Sequence, residues 1–345
     1  MNLDRCGKDA GTCTTSTTIG PPVTATSTPP QTTTGGSAGT TSPSTTGNRA
    51  VIAILLVATF VVILNETIMN VALPRLMEDL SVSARTGQWL ATVFMLTLAV
   101  VIPTTGFLLQ RLSTRTVFVL AMSLFSTGTL LAAVSPAFWL LLPSRVVQAS
   151  GTAMMLPLLM TTILTLVPVE RRGVVMGNVS IAISVAPAIG PTVSGLVLHF
   201  FSWRFMFVLV LPIALAALAY GGKRLVNVGE RGTQRIDLLS VLLSVPAFGG
   251  VVYGLSQLGA GGDATVPPAA FLGVGVVALL LFGWRQVRLT RPGNPLLDLR
   301  VFRFGMFSLS VALLCLAMLV YVGLQLSLRS TVSAVGDEVT ARLKP

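Results

Sequence analysis

Two charged side chains stand inside apolar runs where a bilayer disfavours them. Glu66 lies in LNETIMNVALP, residues 64–74, and Arg145 in SRVVQASGTAMM, residues 144–155. Burying either at mid-helix costs about 2.5–3.5 kcal/mol on insertion scales, so such groups normally face a bundle interior or a wet cavity. Asn70 follows Glu66 by four residues and shares its helix face, with Asn65 adjacent in sequence. Gln148 and Thr152 follow Arg145 by three and seven residues, giving the second helix a polar stripe too. A carboxyl and a guanidinium that meet and separate can act as a proton switch, because the guanidinium favours the carboxylate and burial favours the neutral acid. A plainer reading stands beside this one: Glu66 hydrated near an interface, and Arg145 snorkelling to the surface.

A second stretch is unusual in a different way. Residues 177–195, GNVSIAISVAPAIGPTVSG, are apolar enough for lipid yet carry Pro187 and Pro191. They also place small residues at Ala186, Gly190, Ser194 and Gly195. Proline bends a helix and frees a carbonyl. Small residues admit a close neighbour. A bent, tightly packed membrane helix follows, with Gly190–Pro191 at its bend.

The elements that must position these residues follow from composition. The chain has 345 residues, 52% hydrophobic and 10% charged, the profile of an all-α polytopic membrane protein. Apolar runs near the roughly 20 residues that span a bilayer fall at 50–71, 88–109, 116–134, 138–160, 174–199, 203–221, 238–258, 269–285 and 305–328. Pro143 and Pro157 are expected to kink or end the fourth. Residues 1–49 are rich in Thr, Ser, Pro and Gly and read as a disordered cytoplasmic tail. Residues 329–345 form a polar tail. With the amino terminus inside, sixteen of the 23 Lys and Arg fall in cytoplasmic segments and six outside, which sets the expected topology. The net charge of +11 is thereby assigned to membrane orientation and not to nucleic acid. Nine spans and a polar end suggest a fragment of a longer protein.

Enzyme chemistry finds no support. There is no P-loop, no GxSxG, no metal-ligand cluster and no pair of carboxylates at catalytic spacing. His199, the single histidine, reads as an interface residue. Cys6 and Cys13 suggest neither a disulfide nor a metal site, and Cys315 reads as a small apolar residue.

Four motifs in order resemble the major facilitator superfamily, specifically its fourteen-helix drug:proton antiporter branch, over about residues 50–326. LNETIMNVALP resembles the first-helix motif. GFLLQRLSTR, residues 106–115, resembles the signature between helices two and three. RVVQASGTA, residues 145–153, is similar to the fourth-helix motif, whose Arg is implicated in proton transfer. AISVAPAIGPTVSG, residues 182–195, resembles the fifth-helix antiporter motif, followed by SWRFMF at 202–207. Asn65 stands where the first motif usually has Asp, with Glu66 as a substitute rotated by about 100°. In the loop signature, Gln110 replaces an Asp that joins a charge network, and Ser113 replaces a Gly.

The resemblance implies a six-helix amino-terminal bundle at 50–221, a linker and two inserted helices at 222–300, and one helix of an incomplete second bundle at 301–328. It assigns Glu66 and Arg145 to proton coupling, and Asn65, Asn70, Gln148 and Thr152 to the cavity. Gly106, Gln110, Arg111 and Arg115 become a gating loop. Ala186, Pro187, Gly190, Pro191, Ser194 and Gly195 become the antiporter helix, packed at the bundle seam against an eleventh helix that these 345 residues do not supply. The implied function is proton-coupled efflux of amphipathic, often cationic, small molecules from the plasma membrane, with no cofactor beyond a proton gradient. The alternatives are a non-transporting fragment, or a membrane subunit that needs a partner half. Substrate identity and oligomeric state are not encoded in these patterns.

Overall fold

The computed structural model describes residues 45–225, 238–260, 268–289, 299–317 and 320. Every regular element among them is helical. In order these are α1 (Thr45–Asp79), α2 (Ala84–Arg111), α3 (Thr114–Ala133), α4 (Phe138–Leu166), α5 (Val169–Phe200), α6 (Arg204–Arg224), α7 (Leu238–Ala260) and α8 (Pro268–Leu289). A 3₁₀ turn at Leu299–Arg303 leads into a short apolar helix, Gly305–Ala317. Among the described residues, seven helices are long and apolar enough to cross a membrane. The tail expected to be disordered over 1–49 ends earlier, since residues 45–49 open α1; residues 1–44, the polar tail at 329–345, the segments 226–237, 261–267 and 290–298, and most of the ninth span beyond 317 lie outside the described residues.

Several helices outrun their apolar runs. The fourth is one helix of 29 residues that contains both Pro143 and Pro157. The prolines therefore do not end it, in keeping with the tolerance of proline where neighbouring helices cover the freed backbone. The turn between α2 and α3 shrinks to Leu112 and Ser113. Ser113 is the N-cap of α3, its Oγ accepting from the Thr116 amide at 3.2 Å. The residue that departs from the loop signature thus supplies a cap.

The first six helices pack around α4 and α1. Helix α4 lies against α1, α2 and α3, and α1 lies also against α5 and α6. The α3–α4 contact is closest, because glycines let backbone meet backbone. A Cβ on Gly128 would strike Gln148, and one on Gly151 would strike the Ala121 carbonyl and the Phe125 amide. The α7–α8 pair is joined in the same manner, Gly250 against Gly275, and docks on α2 through Trp89 stacked on Tyr253 at 5.5 Å.

Two of the bundle's apolar clusters run along α1, α3 and α4. One joins Val51–Val62 of α1, Val117–Phe125 of α3 and Met154–Ile163 of α4. The other joins Met69 and Leu76 of α1, Leu90 of α2, Ala132 of α3 and Phe138 and Leu141 of α4, closed by Trp203, which precedes α6, and Phe207 of α6. Asn65 and Glu66 of α1, Thr129 of α3 and Arg145 and Gln148 of α4 fall between them along the chain.

Candidate functional site

The polar layer lies between the two apolar clusters, at one level in four helices. Helix α1 contributes Asn65 and Glu66, α2 contributes Phe94, α3 contributes Thr129, and α4 contributes Arg145 and Gln148. Arg145 is 1% exposed, so its guanidinium does not reach the surface. One Nη donates to Gln148 Oε1 at 2.6 Å. Gln148 Nε2 donates to Thr129 Oγ1 at 2.8 Å, and that hydroxyl donates to the Phe125 carbonyl at 2.7 Å. The chain of bonds runs from α4 into α3 and fixes the arginine's direction. The Phe94 ring covers the guanidinium, 4.0 Å from its carbon to the ring centroid. A desolvated cation over an aromatic face is stabilised by about 2 kcal/mol.

Glu66 is half-buried on α1. It and Arg145 lie close enough to interact electrostatically, yet among the described residues they form no ion pair; the recorded one is Arg75–Glu78 at 3.1 Å, at the end of α1. Asn65 is 3% exposed, and its Nδ2 is buried without an acceptor, as is Arg145 Nε. The layer therefore holds one cation, a carboxyl it does not touch, and two buried N–H groups without partners. A buried N–H left unpaired costs about 1–3 kcal/mol.

The other expected site residues spread out. Asn70 is exposed and takes no part in the Arg145 cluster. Thr152 bonds the Gln148 carbonyl of its own helix at 3.0 Å. Gly106 lies within α2 with open space beside it, so neither a turn nor a close helix contact explains it. Gln110, Arg111 and Arg115 are exposed around the α2–α3 turn.

On α5, Ala186, Gly190 and Ser194 are buried at intervals of four. Their partner is α1. Gly190 meets Thr67, and Ser194 Oγ donates to the Ile68 carbonyl at 3.3 Å. This corrects the expectation that the face packs against a helix beyond the chain. Gly195 was expected on the same face; it is exposed with nothing within 4 Å. Pro187 and Pro191 are exposed too.

Phe94 and Thr129 were missed in sequence. Phe94 sits in an ordinary apolar run. The signal for Thr129 was present in STGT, residues 126–129, small and polar residues in a helix of otherwise large apolar ones. Arg204 was also overlooked. It stacks on Trp203 at 4.3 Å and donates twice to the Ser135 carbonyl, tying α6 to the α3–α4 turn.

A family model described as Major Facilitator Superfamily matches residues 55–336. The chain belongs to the major facilitator superfamily. Among its relatives is an uncharacterized MFS-type transporter, YcnB, of Bacillus subtilis, 44% identical over 78% of this chain and 57% of that protein. The lincomycin resistance protein LmrB of the same organism is 40% identical over 77% and 55%. The putative multidrug resistance protein MdtD of Escherichia coli is 32% identical over 72% and 52%. The chain spans about half the length of these relatives. Among solved structures it resembles the human organic anion transporter MFSD10 (TETRAN), with a TM-score of 0.50 and 16% identity over 64% of this chain and 57% of that one. That likeness concerns the fold. The all-α, multi-pass architecture expected from sequence is the one observed.

Proposed function

We propose that this chain acts in proton-coupled efflux of amphipathic small molecules. One observation carries the reading. Arg145 is buried at the middle of the bundle and held on Gln148 and Phe94, while Glu66 faces it unpaired from α1. In this arrangement Glu66 is available to a proton or to a cationic substrate. Moving Arg145 onto Glu66 would displace either one. Coupling then needs only a shift of α1 against α4 within the six-helix bundle, one that changes the separation of the two charges. The names of LmrB and MdtD support an antibiotic-like or multidrug substrate class. The excess of Lys and Arg supports an amino terminus inside the cell, in the plasma membrane.

The test is efflux of a fluorescent lipophilic cation from cells that express the full chain, with and without a collapsed proton gradient. The expected result is gradient-dependent efflux that Glu66→Gln abolishes while the protein level in the membrane is unchanged. Efflux no greater than in empty-vector cells rejects transport by this chain. Efflux that Glu66→Gln leaves intact rejects the carboxyl's role.

A further inference from the structure

Helix α2 brings an aromatic ring to the charged layer. Its apolar window is only 12% buried, yet Phe94 is 1% exposed, while the next residue, Met95, is 46% exposed. The ring centroid lies 4.0 Å from the guanidinium carbon of Arg145. Another side of α2 is anchored by Trp89, stacked on Tyr253 of α7; five helical positions set it about 140° around from Phe94. The ring is thus presented by a helix that is held from behind. The guanidinium's other hold is modest. One Nη donates to Gln148 Oε1, and Nε is buried without an acceptor. A neutral amide oxygen binds a guanidinium less strongly than a carboxylate does. Glu66 is within electrostatic reach, and still the two form no ion pair among the described residues. Some group must offset the pull of the carboxylate, and a desolvated ring face lying on the cation is placed to do so.

We infer that Phe94 is a positioning residue: its ring face holds Arg145 off Glu66 and so leaves Glu66 free to take up a proton. The inference rests on the proton-coupling reading above and adds the group that sets its balance. Among the described residues, Arg145 is the charged side chain that acts on Glu66. Helix α5 meets α1 close by with Gly190 and Ser194, and α6 with Met206, none of which titrates. A weaker ring face lets Arg145 stay longer on the ionised carboxyl. The carboxylate is then stabilised, and a proton binds only at lower pH.

The experiment replaces Phe94 of the full chain by phenylalanine carrying one, two and three ring fluorines. These withdraw charge from the ring face and barely change its size. Protonation of Glu66 is followed in the detergent-purified protein by infrared difference spectroscopy, as the carboxyl band that Glu66→Gln removes. The midpoint should fall stepwise with each fluorine. In Phe94→Leu, which has no ring face, it should fall by about one pH unit, about a tenfold loss of proton affinity. Circular dichroism reports the fold, and the near-isosteric fluorinated proteins serve if Phe94→Leu does not fold. An unchanged or rising midpoint along the fluorine series overturns the inference, even where Phe94→Leu shifts it, since the ring would then act by its bulk alone. A falling midpoint in a chain that shows no efflux keeps the inference and rejects the transport reading alone. A Glu66 that binds no proton at any accessible pH overturns both.

Discussion

The α4 and α5 helices carry similar sequence features, two prolines each and a run of small and polar residues, but use them in opposite ways. Half of α4's membrane window is buried, against 22% of α5's. On α4 the small residues, with Gly151 foremost, bring α3 close enough for Gln148 to reach Thr129. They serve to hold one polar side chain. On α5 the buried row of Ala186, Gly190 and Ser194 ends on the α1 backbone beside Glu66, and the prolines lie on the exposed side. The difference separates a helix that fixes the site from one that borders it. Close packing on α4 fixes the direction of a charge, and close packing on α5 fixes where the helix carrying the opposite charge can move.

The largest effect that would break this contrast is on α4. Gly151→Leu places a side chain against the Ala121 carbonyl and the Phe125 amide, neither of which can turn away. We expect a loss of about 3 kcal/mol, the upper range for overpacking, read as a collapse of the thermal transition of the detergent-purified protein. A transition within a few degrees of the parent would show that α3 and α4 are not in close contact. Next is Gln148→Leu. It keeps the volume but leaves a buried guanidinium without its acceptor, a loss of about 2 kcal/mol that the same melting experiment measures. Thr129→Val acts one bond further away. Gln148 Nε2 loses its acceptor and the Phe125 carbonyl a second donor, and the expected cost is about 1 kcal/mol. The order Gln148 above Thr129 is the critical outcome, and its inversion would mean that the hydroxyl has a partner more important than Gln148.

Much of this was legible before any coordinates. Lipid requires every backbone group to be bonded within the span, so apolar runs translate directly into helices. That Arg145 and Gln148 share one helix face followed from their spacing, and the structure buries both. The rest depends on rotation and on partners. Asn65 and Asn70 are equally polar, but only Asn65 is buried; positions five apart differ by about 140° around a helix, and the sequence does not say which direction faces the bundle. Phe94 and Thr129 meet the α4 cluster from two other helices, contacts that no local pattern on α2 or α3 encodes. Pro143 and Pro157 suggested a break because their effect on a lone helix is large; packing on three neighbours keeps α4 whole. The loop signature illustrates the reverse case. Ser113 looked like a departure, and its hydroxyl proves to be the cap of α3.

The smallest effect sharpens the contrast within α5 itself. Gly190 and Gly195 are five residues apart and were expected on one contact face. A Cβ at Gly190 would meet the Thr67 side chain at 2.5 Å, whereas at Gly195 nothing lies within 4 Å. The two alanine variants should therefore differ in sign. Gly190→Ala must push Thr67 aside, a cost of about 1 kcal/mol. Gly195→Ala meets no neighbour and restricts the unfolded chain, a gain of about 0.5 kcal/mol. Both are read from the same melting curves. Because the substitution is identical, helix propensity cancels between them, and the residual difference isolates the α1–α5 contact. If both variants stabilise equally, α5 does not pack on Thr67. If both destabilise equally, the face around Gly195 is covered after all, and α5 would be a helix enclosed on two sides, as α4 is.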